Sequence, residues 1–230
     1  MTLEDNTPYL LHFLFPSLDS ITTIPKVNYD INAIKCKIGV IYSAMGTGKT
    51  ELMRSLVEKA INQYDIYNVN ARSCVTLEDL ISNSLDDKLI QIPILDDITL
   101  SIIKKGDINR FFKIRHLWKD IAKRNYGYIL CLIGAHRFHG VQPPELRTNL
   151  DFIIFKSSAT SPFDRNIVKL YLKEDGFSKL EEIEKLRETD KKYLSSSLFW
   201  TRGKVGVISL PMAGDNYIKS TNSVVTNISH

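Results

Sequence analysis

The sequence predicts an α/β domain built on a doubly wound, mostly parallel sheet flanked by helices, and three observations carry that expectation. First, Val40-Ile41-Tyr42 ends an apolar run, a loop holding Gly46 and Gly48 follows, and Lys49-Thr50 opens an amphipathic helix. Leu52, Met53, Leu56, Val57, Ala60 and Ile61 share one face of that helix. Second, two later stretches, from Leu89 to Leu95 and from Tyr128 to Ile133, are near-continuous apolar runs. Strands buried on both faces read that way, because each face lies against helices. Third, each run stops abruptly in polar residues, at Asp96-Asp97 and at Gly134-Ala135-His136-Arg137, and ligands gather at the carboxyl ends of such strands.

Length and composition agree with one α/β domain. The chain has 230 residues, of which 43% are hydrophobic and 24% charged, enough apolar material for a substantial core. The expected organisation is an N-terminal arm over 1–30, a core over 31–213 and a polar, Asn/Ser-rich tail over 214–230. Net charge is +4, compatible with a nucleic-acid partner without requiring one. The three cysteines, Cys36, Cys74 and Cys131, lack metal-ligand spacing, and their odd number argues against a disulfide framework. That usage fits a reducing, cytoplasmic compartment. The run from Tyr9 to Phe15 is too short to span a bilayer, and Glu4 and Asp5 precede it where a signal peptide carries basic residues. It reads as an element covering the flank of its own domain, or as an arm docking on a neighbouring subunit.

In chain order, residues 8–25 read as an irregular arm and Ile38 to Tyr42 as the first core strand. The helix behind the glycine loop should reach about Tyr64, and Asp65 to Asn70 alternates as a short strand. Thr76-Leu77-Glu78-Asp79 has the spacing of a helix N-terminus with reciprocal capping. Asp107 to Asn125 reads as a helix with Phe111, Ile114, Trp118 and Ile121 on one stripe. Arg110, Lys113, Arg115, Lys119, Lys123 and Arg124 make it the most basic stretch of the chain, suited either to solvent or to a phosphate backbone. Pro143-Pro144 turns the chain toward a strand ending at Phe155, Ser178-Lys179-Leu180-Glu181 suggests another helix start, and Val205 to Leu210 reads as the last strand.

The loop from Ser43 to Thr50 resembles the Walker A P-loop, with Ser43 where that pattern has its first glycine. Backbone N–H groups and a helix N-terminus there would cradle phosphates. The resemblance implies a nucleotide site at Ala44, Met45, Gly46, Thr47, Gly48, Lys49, Thr50 and Glu51, with Lys49 on the β/γ-phosphates of ATP and the Thr50 hydroxyl on Mg²⁺. The apolar run ending in Asp96-Asp97 resembles a Walker B strand, so Asp96 would hold Mg²⁺ through water and Asp97 would polarise the attacking water. Pro93 is an awkward residue for the interior of such a strand, since it donates no ladder hydrogen bond.

The order of these motifs from Ile38 to Phe155 resembles the additional-strand P-loop ATPases, and within them the FtsK/HerA-type translocases and small viral genome-packaging ATPases. That resemblance implies a RecA-like core with one strand inserted between the Walker A and Walker B strands. His136 would occupy the sensing position at its tip, and Arg147, with Arg137 as second choice, would complete a neighbouring subunit's site. It further implies ATP hydrolysis, an oligomeric ring, double-stranded DNA as the transported partner, and a capsid or portal as a docking partner in the host cytoplasm. Two other readings stay open. One is an AAA+-type replication initiator or helicase-like remodelling ATPase, with residues 157–198 as a lid. The other is a nucleotide-regulated switch or small-molecule kinase, which leaves the basic helix without a role.

Overall fold

Strands buried on both faces form the centre of the sheet. The computed structural model describes residues 4–23, 33–96, 111–136, 149–158 and 161–210. Its strands are β1 (Lys35–Tyr42), β2 (Val69–Cys74), β3 (Ile90–Leu95), β4 (Tyr128–Ala135), β5 (Phe152–Phe155), β6 (Ser196–Thr201) and β7 (Lys204–Ser209). They form one seven-stranded sheet in the order β2-β3-β4-β1-β5-β6-β7. The stretch from β2 through β5 is parallel, while β6 and β7 add an antiparallel edge. Thus β4 is inserted between the strand that feeds the glycine loop and the strand that ends in Asp96, the arrangement expected of an additional-strand core.

Helices cover both faces. On one side α3 (Lys49–Tyr64) packs Leu52, Met53, Leu56 and Ala60 against Ile41, Ile94, Leu132 and Ile154. On the other, α5 (Ile114–Ala122) and α6 (Pro162–Thr189) pack Ile114, Trp118, Leu172 and Leu180 against Val40, Ile133 and Phe155. Successive strand residues therefore divide between two cores, as the two-residue period of a strand requires. The short α4 (Leu77–Ser82) starts as expected: the Thr76 hydroxyl accepts from Asp79 N at 3.0 Å.

Pro93 does lie in a central strand. The β3–β4 register runs from Ile90↔Tyr128 and Gln91↔Ile129 to Ile94↔Leu132 and Leu95↔Ile133, with no pair at Ile92 or Pro93. The offset is the same on both sides of the gap, so the missing N–H interrupts the ladder locally without shifting the register that aims Asp96.

Several elements differ from the sequence reading. The N-terminal arm is not irregular: α1 (Thr7–Leu14) and α2 (Leu18–Thr22) are helices. Leu10 and Leu14 are buried in the core on the α3 side, and Asn6 N donates to Val207 O at 2.8 Å beside β7. The buried side of the apolar run thus covers its own domain. Strand β2 starts four residues later than expected, because Asp65 takes a positive φ of 70° and a turn follows, with Asn68 N donating to Asp65 O at 3.1 Å. Ser178 caps nothing. The helical span begins at Pro162, where the Ser161 side chain accepts from Asp164 N, and is broken into two segments at Lys173 (φ 58°, ψ −178°), so its second segment starts just upstream of Ser178. A Ser-x-x-Glu spacing on an exposed helix face is indistinguishable in sequence from a cap. β6 was not anticipated; the Arg202-Gly203 turn folds it onto β7 as a hairpin.

Candidate nucleotide site

The site forms where β1, β3 and β4 end together. After Tyr42 the chain leaves the sheet, with Ser43 N donating to Ala135 O at 3.1 Å. Ser43 does not enter the left-handed region, so this position has no steric need for the glycine of the usual pattern. Gly46 (φ 75°) and Gly48 (φ 83°) do enter it, and Gly48 is the residue that caps α3. Two side chains brace the loop: the Thr47 hydroxyl donates to Ala44 O at 2.9 Å, and Ala44 N donates to the Ser157 hydroxyl at 2.7 Å. Met45 stands exposed at the loop tip, and Glu51 pairs with Arg54 at 2.8 Å along α3.

Lys49, Thr50, Asp96 and His136 converge from three elements. Lys49 Nζ lies 2.6 Å from Asp96 Oδ1, with Lys49 4% exposed, and the Thr50 hydroxyl donates to Asp96 Oδ2 at 2.8 Å. His136 follows β4, its Nε2 3.4 Å from Lys49 Nζ and its Nδ1 3.0 Å from Ser43 O. A carbonyl only accepts, so Nδ1 carries the proton and donates, and Nε2 offers its lone pair toward Lys49. Gly134 lies against this cluster, and a Cβ there would collide with Asp96 Oδ1 and Met53 Cε. Glycine is required there because the carboxylate lies directly against the β4 backbone.

Thr50 and Asp96 present hard oxygen donors side by side, the donor set that suits Mg²⁺ held by few protein ligands and water. Among the described residues no cluster of three or more His, Cys, Asp or Glu side chains forms another metal site. Cysteine chemistry is equally remote: burial pushes the Cys74 thiol up to about 11 and the Cys131 thiol well above its usual range. Asp97, Arg137 and Arg147 lie outside the described residues, as does Arg110 of the basic stretch. Of the remaining basic residues, Lys113, Arg115 and Lys123 are exposed on or beside α5, while Trp118 anchors its inner face by donating from Nε1 to Asp86 O at 2.7 Å.

Two residues of this region escaped the sequence reading. Ser157, whose hydroxyl receives the Ala44 amide, and Lys156, buried beneath the loop, both follow β5. The signal available for them was a polar pair closing the apolar run Phe152-Ile153-Ile154-Phe155 beside the Walker A strand.

The strand order and the loop together form the doubly wound, mostly parallel α/β core that the sequence predicts. No protein-family profile and no curated protein matches the sequence. Among solved structures, the genome packaging NTPase from Sulfolobus turreted icosahedral virus 2 in complex with sulfate matches at 13% identity, over 77% of this chain and 98% of that one, with a TM-score of 0.47. The pCW3 conjugation coupling protein TcpA matches at 11% identity over 83% of this chain and 64% of that one, TM-score 0.45. The cytoplasmic domain of the Thermomonospora curvata Type VII secretion ATPase EccC matches at 12% identity over 77% and 25%, TM-score 0.45. At such identities these likenesses concern the fold alone.

Proposed function

We propose that the protein is an ATPase that translocates double-stranded DNA as an oligomeric ring, with viral genome packaging as its specific task. The observation that supports nucleotide hydrolysis is the convergence of Lys49, Thr50, Asp96 and His136 on one glycine loop at a helix N-terminus. ATP would lay its phosphates on the loop amides. Lys49 would neutralise charge on the β/γ-phosphates, and Thr50 and Asp96 would hold Mg²⁺, which supplies electrostatic stabilisation of the phosphoryl group when bound. Asp97 would orient the attacking water, and His136, next to Lys49, would respond to the γ-phosphate.

The DNA role is supported by the basic surface of α5, which a switch or kinase would leave unused. A lid, which the replication-initiator reading needs, finds no support in α6. That helix lies on the sheet, with Val168, Leu172, Leu180 and Ile183 inside the same core as Val40 and Ile133. Among the described residues no helix is long and apolar enough to cross a membrane.

The deciding experiment measures ATP turnover with and without double-stranded DNA, using Lys49→Ala as the inactive control. Stimulation by DNA supports the motor. Turnover that DNA leaves unchanged returns the protein to the switch or kinase class. Arg147 is proposed as the cation supplied to the adjoining subunit. Mixing Lys49→Ala with Arg147→Ala protein should then restore part of the activity, and full activity of Arg147→Ala alone removes the assignment.

A further inference from the structure

Lys156 continues β5 past Phe155, and its N–H donates to Tyr42 O at 2.8 Å, so it stands beside the point where the chain leaves β1 for the loop. Ile154 faces the α3 side and Phe155 the opposite side, so the period of the strand turns Lys156 toward α3. The residue is 2% exposed. Its Nζ lies 3.4 Å from the position that a Cβ on Gly48 would occupy, directly against the residue that caps α3. Among the described residues the hydrogen bond from Nζ goes to Leu194 O, at 3.3 Å, and no carboxylate lies within ion-pair distance.

Arg187 holds this arrangement in place. Its guanidinium donates to Lys156 O, to Ser196 O at 2.5 Å and to Tyr193 O at 3.3 Å, so the turn offering Leu194 O is tied to the end of β5. The same guanidinium faces Lys156 as a like charge, and Glu51 on α3 opposes it from longer range. Burial first, then Arg187, pushes the Lys156 ammonium down to about 8. A buried ammonium with one carbonyl partner is costly, and a neutral side chain of similar length would fill the space without that cost. An anion at Gly48 is what would offset it.

We propose that Lys156 is a second phosphate-binding cation, reaching the nucleotide's phosphate chain from the β5 side of the loop while Lys49 reaches it from the β4 side. The sheet order supplies the geometry. β1 carries the loop, β4 and β3 bring His136 and Asp96 to one flank, and β5 brings Lys156 to the other. The proposal rests on the nucleotide-binding reading of the loop, and the test separates the two.

The test is calorimetric titration of ADP and of inorganic pyrophosphate into wild type, Lys49→Ala, Lys156→Met and Lys156→Gln, with the nucleotide-free Tm of each. Both Lys156 variants should bind ADP and pyrophosphate about 10- to 100-fold more weakly, the usual worth of a charged hydrogen bond. Their nucleotide-free Tm should be unchanged or higher, because the buried charge is gone; a merely structural lysine would lower it. Unchanged affinity for both probes overturns the proposal. So does loss confined to ADP, which would place Lys156 on the nucleoside, and so does a fall in Tm or failure to fold in both variants. If wild type binds neither probe, the nucleotide reading itself fails. If wild type binds and only Lys49→Ala loses affinity, the failure belongs to Lys156 alone.

Discussion

Lys49 Nζ and Asp96 Oδ1 lie 2.6 Å apart across the mouth of the glycine loop, so the two groups proposed to receive phosphate and metal neutralise each other. The Thr50 hydroxyl engages the second carboxylate oxygen at 2.8 Å, and the metal's two candidate ligands are thereby held together before a metal arrives. On the proposed function, binding would exchange these bonds: Lys49 would turn to phosphate, and Asp96 and Thr50 to the cation. The site is preorganised in position, and its charges are already paired at rest.

The two adjacent acids should separate binding from chemistry. Asp96→Asn removes the negative charge that holds both Lys49 and the metal, so the Mg²⁺ concentration for half-maximal turnover should rise at least about tenfold. Asp97→Asn should leave Mg-ATP affinity near wild type and lower kcat about 100-fold or more, because an amide cannot polarise water as a carboxylate does. Titrating Mg²⁺ against ATP hydrolysis and ATP binding in both variants checks this. Lost ATP affinity in Asp97→Asn, with turnover per bound nucleotide intact, would reverse the two roles.

A methyl group at Gly134 should disable the site from the far side of β4. A Cβ there meets Asp96 Oδ1 and Met53 Cε, and lies 3.1 Å from Lys49 Cδ. Met53 can shift, but the carboxylate cannot stay in place without collision. Gly134→Ala is therefore expected to weaken Mg²⁺-dependent turnover about 100-fold, the scale of an ångström's misplacement, while the protein stays folded. Turnover near wild type in a folded variant would show that Asp96 has room that the structure does not give it.

Lys156 carries a pH signature in nucleotide-free protein. Its folded-state value, about 8, lies below the ordinary 10.5 of an exposed lysine. Between those values the unfolded chain holds a proton that the folded chain has released, so this group makes stability rise with pH across that window. Below pH 8 the full penalty applies, on the order of 3 kcal/mol from the size of the shift. Lys156→Met should thus be more stable than wild type at pH 7, and the gap should narrow by pH 9.5. Denaturant unfolding at the two pH values reads it out, and a gap independent of pH would contradict the buried charge. Tyr64, Cys74 and Cys131, all pushed upward by burial, act in the opposite sense as their unfolded forms ionise, but they do so in wild type and Lys156→Met alike and cancel from the gap.

The α5 surface predicts a salt effect. If Lys113, Arg115, Lys119 and Lys123 touch DNA phosphates, each contact removed should flatten the log–log dependence of affinity on salt by about 0.9. Replacing all of them by Ala and measuring DNA binding across a salt series tests the interface. A slope equal to that of wild type would make this helix a solvated face.

Local chemistry was enough to read the loop, its helix and the strand that leads to Asp96 from sequence. Glycines at fixed spacing, a lysine-threonine helix start and unbroken apolar runs are constraints that neighbouring residues impose on one another. The parallel core from β2 to β5 and the convergence of Lys49, Thr50 and Asp96 follow from those patterns together with the resemblance they support. Four features were decided only by tertiary packing. α1 and α2 form because Leu10, Leu14 and Ile21 find an apolar surface, which no periodicity in so short a stretch announces. β6 becomes a strand because β5 and β7 pair with it on both sides. The second segment of α6 starts after the break at Lys173 rather than at Ser178, because Phe177, Leu180 and Ile183 pack into the core with Val168 and Leu172 of the first. Lys156, far in sequence from Gly48 and from Arg187, meets both only because β5 lies beside β1 and the chain returns through α6. A cation's partners, and hence its cost and its use, are long-range facts that residue spacing along the chain does not encode.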